Sequence, residues 1–204
     1  MRYRSVLLAA AASILTGVLV VQAQVPGVNS TLATVFTLAY DNSTMKSTYS
    51  ASVGFVPAAS ATDICTISGS ATKNVRVRRV TLTGVGDAVQ NRAIAFNKRS
   101  TANSGGTSTT PTVVPYDSAF SAGTAVVRAY TANPTTGTLV GMVADPLVLF
   151  GNLTTGPATT YEAKFGELGS PIVLRGVAQS LAVNLNGATV TTPVVTCTIE
   201  WTEE

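Results

Sequence analysis

Few side chains in this sequence could carry chemistry. They are ten carboxylates (Asp41, Asp63, Asp87, Asp117, Asp145, Glu162, Glu167, Glu200, Glu203 and Glu204), two thiols (Cys65 and Cys197) and the cations of KNVRVRRVTLTG, Lys73 to Gly84. Histidine is absent from all 204 residues, which excludes a Ser-His-Asp or Cys-His nucleophile and the usual zinc ligand sets. Glycoside hydrolysis needs two carboxyls held close together, and the ten here are scattered with no pairing in their spacing. No GxGxxG after a strand, phosphate-cradling GxxxxGK[ST] or Asp-rich calcium loop occurs. The chain is therefore expected to be no enzyme and to use no cofactor, metal or small-molecule substrate.

Cys65 and Cys197 lie near opposite ends of the body of the chain. If the chain is exported, they can form a disulfide that restricts the unfolded state. Two buried free thiols are the alternative, because the sequence does not place their Cα atoms within bridging range.

The cation-rich stretch is an ordinary strand with a basic face. Val75 and Val77 share one side, the apolar phase resumes at Val80 and Leu82, and the slip between Arg78 and Arg79 predicts a β-bulge. Arg76 and Arg78 then project away from the core and Arg79 sits at the irregularity, so all three are candidate contacts between subunits. Binding of single-stranded nucleic acid normally adds stacked aromatics. None is interleaved here, and no nucleic-acid partner is expected.

Elements that could position these residues follow from the pattern of the chain. Charged residues are only 11 % of the composition, far from a disordered polyampholyte or a helical bundle. Residues 1–23, MRYRSVLLAAAASILTGVLVVQA, combine Arg2 and Arg4, an apolar run and a small-residue site before Gln24. They read as a secretory signal or, left uncleaved, a hydrophobic membrane anchor. Removing them takes away two arginines and no acid, so the formal charge of +3 falls to +1, too little for a broad cationic field. Residues 24–46 form an arm whose apolar piece is Leu32 to Tyr40, expected to order only on assembly.

From residue 47 to 204 short β-branched runs alternate with Gly, Pro, Asn and Asp. Strands are expected at Ser47 to Phe55, Asp63 to Ser68, Asn74 to Thr83, Arg92 to Lys98, Thr124 to Thr131, Pro146 to Phe150, Thr159 to Phe165, Pro171 to Arg175, Ser180 to Leu185 and Pro193 to Trp201. Val195, Cys197, Ile199 and Trp201 share the core face of the last strand. Asn186-Gly187 is a turn dipeptide suited to positive φ. Lys98 to Ala119 and Tyr130 to Gly141 read as long loops that either carry contacts or are solvated decoration. The result is an all-β single domain, a jelly roll or β-sandwich.

Five segments, ASATDICTISGSATKNVRVRRVTLTG, KRSTANSGGTSTTPTVVPYDS, VVRAYTANPTTGTLVG, IVLRGVAQSLAVNLNG and the ending IEWTEE, together resemble a family of small β-rich proteins encoded in tailed phages, prophages and environmental viral sequences. The likeness covers roughly Ser47 to Glu204. It implies a virion component that decorates a capsid or forms part of a spike or fibre, oligomerising, as a trimer, and contacting other virion proteins. Family members begin close to the β domain without an export signal, and carry bulky apolar residues where this chain has Cys65 and Cys197. Those departures are consistent with an oxidising compartment and imply either a phage protein that passes through the bacterial inner membrane or a host protein derived from a phage gene. A secreted bacterial surface protein, either an adhesin-like fibre subunit or a carbohydrate-binding module, is the alternative expectation.

Overall fold

The computed structural model describes residues 46–204 apart from 59–61, 87–88, 153, 155, 157, 168–169 and 188–193. The expected signal or anchor (1–23) and nearly all of the expected arm (24–46) lie outside the described residues. No α-helix occurs among the described residues.

Fourteen strands follow one another: β1 (Ser47–Phe55), β2 (Asp63–Ser68), β3 (Val75–Gly86), β4 (Gln90–Ala93), β5 (Ala95–Arg99), β6 (Thr107–Thr109), β7 (Val114–Pro115), β8 (Val126–Ala132), β9 (Leu139–Ala144), β10 (Leu147–Asn152), β11 (Thr159–Lys164), β12 (Ile172–Leu174), β13 (Ser180–Asn184) and β14 (Val194–Glu203). They form two sheets, one in the order β4-β10-β3-β14-β1-β7 with β11 and β12 also paired to β3, the other β6-β8-β2-β13-β5-β9. Both layers turn alternate side chains inward, which makes the molecule a β-sandwich.

Within it sits a recognisable order. Among β1, β2, β3, β5, β9, β11, β13 and β14, taken first to eighth, one sheet pairs first-eighth-third-sixth and the other second-seventh-fourth-fifth, all antiparallel. That is the strand order of a jelly roll. Residues 100–138, between the fourth and fifth of these strands, add β6 and β8 beside β2 and β7 beside β1. No two strands adjacent in the sequence pair with each other among the described residues, so every ladder closes over a distance.

The two expected long loops are corrected by this arrangement. Lys98 to Ala119 contains β6 and β7, and Tyr130 to Gly141 contains the end of β8 and the start of β9. The expected strand Arg92 to Lys98 is two strands. β4 pairs β10 in the first sheet and β5 pairs β13 in the second, and the chain crosses at buried Ile94, whose amide donates to the Pro146 carbonyl over 2.9 Å.

The core lies between the layers. In β14, Val195, Cys197, Ile199 and Trp201 are all buried while Thr196, Thr198 and Glu200 are half-buried, as period-two alternation requires. Trp201 stacks on Tyr49 with ring centroids 6.0 Å apart, and the Tyr49 hydroxyl donates to the Ser121 carbonyl at 2.8 Å. Cys65 of β2 and Cys197 of β14 form a disulfide with Cα atoms 6.7 Å apart, so one covalent bond ties the two sheets through the core. In β3, Gly84 leaves room for the Phe150 ring, because a Cβ there would lie 2.7 Å from a ring carbon.

Candidate assembly surface

The bulge expected in the basic stretch is present. Glu200 pairs Arg79 and Trp201 pairs Val77, so Arg78 is the extra residue. Its consequence is that Val75 and Val77 before it and Val80 and Leu82 after it all face the core, while Arg78 is exposed and Arg76 and Arg79 lie partly covered on the outer face. The structure places the three arginines differently. Arg76 pairs with Glu204, which also receives Lys46. Arg79 bridges Glu162 of β11, at 2.7 Å, and Glu200 of β14. Arg78 alone of the three has no side-chain partner among the described residues.

Arg79 draws the Glu162 carboxyl below the ordinary carboxylate range, and partial burial beside Glu200 raises the Tyr116 phenol. These pairs are solvent-accessible and contribute about 0–1 kcal/mol each. They tie β3, β11 and β14 together, and of the three arginines Arg78 alone makes no side-chain pair among the described residues.

Two further polar clusters, which no local sequence pattern marks, hold residues 100–138 in place. Asp63 is fully buried and accepts from Arg99 Nε at 2.6 Å and Nη2 at 2.7 Å, from Asn103 at 2.8 Å and from Asn184 at 2.7 Å. Arg99 also donates to the Gly137 carbonyl at 2.7 Å, and the Gly137 amide donates to Asn103 at 2.8 Å. The segments around residues 103 and 137 are thereby folded over the outside of β2, β13 and β5, and β2 and β13 are buried at every position. A carboxylate and guanidinium this deep are tolerable only because both ends are satisfied.

The second cluster is built on Glu203, which shares the core-facing parity of Trp201. It accepts from the Ala125 amide at 2.9 Å, the Thr124 amide at 2.8 Å, the Thr124 hydroxyl at 2.8 Å and Trp201 Nε1 at 3.0 Å, with Lys73 Nζ 3.5 Å away. Burial pushes its pKa up, but the donors outweigh burial and hold it below the ordinary value. It clamps the start of β8 to the last strand. Continuing the alternation Val195, Cys197, Ile199, Trp201 by one step would have placed this acid on the core face.

The remaining surface feature is apolar. β9 is the last strand of its sheet, paired on one side only, to β5. Asp145 and Pro146 lead directly to β10, near the edge of the other sheet. Leu139, Val140, Met142, Val143, Leu147 and Leu149 all lie exposed in this run, each showing 43 % to 68 % of its surface. Val148 and Phe150, which alternate with the two leucines of β10, are buried in the core, so the apolar content here exceeds what the fold uses. Together the six side chains leave on the order of 600 Å² of apolar surface accessible, divided between β9 in one sheet and β10 in the other.

Two irregularities in the β5 ladder bend β9, a device that discourages open-ended strand addition, while the protruding side chains stay uncovered. Asp145 is the one charged residue between 139 and 149, so little like-charge repulsion opposes the meeting of two such edges.

Elsewhere, no group of three or more His, Cys, Asp or Glu residues arranged to hold a metal occurs among the described residues. Compared with known protein families, curated proteins and solved structures, the chain matches none.

Proposed function

We propose that this chain is a non-enzymatic structural component of a tailed-phage virion, a jelly-roll subunit that works by associating with copies of itself and with other virion proteins. The observation that carries the reading is the uncovered apolar edge from Leu139 to Leu149, whose occupant is a second copy of this chain. Three copies closing in a ring, each edge lying on its neighbour, give a trimer and leave no edge open for fibres. Arg78, exposed and unpaired beside the Arg79 pairs, is available at the rim of such contacts. The jelly-roll order is shared by capsid proteins, lectins and cupins, so fold alone does not separate them.

The buried disulfide favours a second reading, a secreted bacterial surface or fibre-subunit protein, because such bonds persist in oxidising compartments. If residues 1–23 act as an export signal, they favour this second reading directly, and the virion reading requires passage through the inner membrane. Mass spectrometry of purified particles distinguishes them. The virion reading expects this chain at a fixed ratio to the major capsid protein, and its absence from particles combined with presence on the cell surface supports the second.

A further inference from the structure

The outer row of β8 builds a site that assembly does not use. Val127 and Ala129 face the core, and the alternate residues Val126, Arg128 and Tyr130 line a cavity of about 460 Å³ with Ser68, Ser108 and Thr124. Asn103 and Gly105 of the loop before β6 also line this half-open space. The volume lies in the lower half of the range for small-molecule sites.

The polar inventory of the cavity is one-sided. Arg128 is half-buried, and its guanidinium has no hydrogen-bond or ion-pair partner among the described residues, although Arg76, Arg79 and Arg99 each hold a carboxylate. No Asp or Glu lines the space. Tyr130 is 4 % exposed, and its hydroxyl, which makes no hydrogen bond among the described residues, keeps solvent access at the cavity wall. The hydroxyls of Ser68 and Ser108 add further unspent donors and acceptors. One fixed cation facing several hydroxyls complements a ligand that carries one anionic group and several alcohols.

We propose that this cavity binds a carboxylated monosaccharide unit, with the carboxylate held by the Arg128 fork and ring hydroxyls meeting Tyr130, Ser68 and Ser108. Arg suits this role because its planar donors match a carboxylate bidentately. The sugar hydroxyls set the ligand apart from a simple anion, for which the walls supply more polar groups than needed. The site lies apart from the apolar edge, so its occupancy does not depend on the assembly reading.

Titration of the purified protein with glucuronic acid, glucose and inorganic phosphate, followed by calorimetry or ligand-observed NMR, tests this. Glucuronate is expected to bind at least about tenfold more tightly than either glucose or phosphate. Arg128→Gln should weaken glucuronate at least about tenfold, given the strength of charge-assisted hydrogen bonds, and leave the thermal midpoint in place because Arg128 has no partner in the fold. Tyr130→Phe, which keeps the ring, should weaken it about three- to tenfold. Equal binding of phosphate would reduce the cavity to a general anion site and overturn the sugar assignment. Glucuronate binding unaffected by either substitution, or no binding at millimolar concentration, would overturn the proposal outright.

Discussion

Replacing Cys65 and Cys197 together by alanine removes the disulfide that cross-links the two sheets through the core. The bonded residues are separated by 132 positions, for which the loop-entropy relation gives about 5 kcal/mol at 25 °C. Both side chains are fully buried, so alanine also leaves a small cavity, while the bond's removal relaxes the unfolded chain. The expected net loss is about 3–5 kcal/mol, a large part of the ~5–15 kcal/mol that a domain possesses. With a urea m-value of about 2 kcal/mol/M, the midpoint should fall by about 2 M, with a steeper slope from the more expanded unfolded state. Equilibrium urea unfolding of both proteins by tryptophan fluorescence reads this, since Trp201 is the sole tryptophan and lies in the core. A midpoint shift below about 0.5 M would refute the reasoning that the bond acts by constraining the unfolded chain. The buried position also predicts that dithiothreitol leaves the bond intact in native buffer and cleaves it once urea opens the sandwich.

Glu203→Gln should cost about 2–3 kcal/mol, because an amide –NH₂ replaces an acceptor that faces only donors. Glu203 has a depressed folded pKa, so its contribution is complete above the unfolded value of about 4.3 and is lost as pH falls through the folded one. The urea midpoint of the parent should drop between about pH 5 and 3, and part of that slope should vanish in Glu203→Gln. Gly137→Ala would set a Cβ 1.9 Å from the Thr101 carbonyl oxygen, so the covering segment should lift and become cut by protease faster than in the parent, with the thermal midpoint lowered. Refolding should be slow, in the range of milliseconds to seconds or longer, because no ladder joins consecutive strands; stopped-flow fluorescence of Trp201 would show it.

What local pattern could reveal, it did. The alternation in β14 located the core face and the burial of Trp201, and the phase slip in VRVRRV located a bulge between Arg78 and Arg79, one position from the extra residue Arg78, because each depends only on neighbours in the chain. Asn186 and Gly187 take the positive φ expected of them, 53° and 73°, yet they lead from one sheet to the other and close no hairpin.

β9 was hidden because Gly141 and two register shifts break its period, and because an edge strand with exposed apolar residues has no polar face to alternate with. β6 and β7 are too short to show a period. The bonds of Asp63 to Arg99 and Asn103 cross 36 and 40 positions, and the cavity on β8 exists only once β2, β6 and the covering loop meet. Such juxtapositions are properties of the topology, which no local spacing encodes.

Sedimentation equilibrium of the purified domain, with and without Val140→Lys and Met142→Lys, tests the central claim most directly. A particle of three chains is expected at micromolar concentration, reduced to a single chain by the two lysines with the thermal midpoint of the dissociated domain unchanged, since both side chains are already exposed. A parent protein that stays a single chain up to about 100 μM, a concentration at which weak ~8 kcal/mol contacts would be populated, would contradict it.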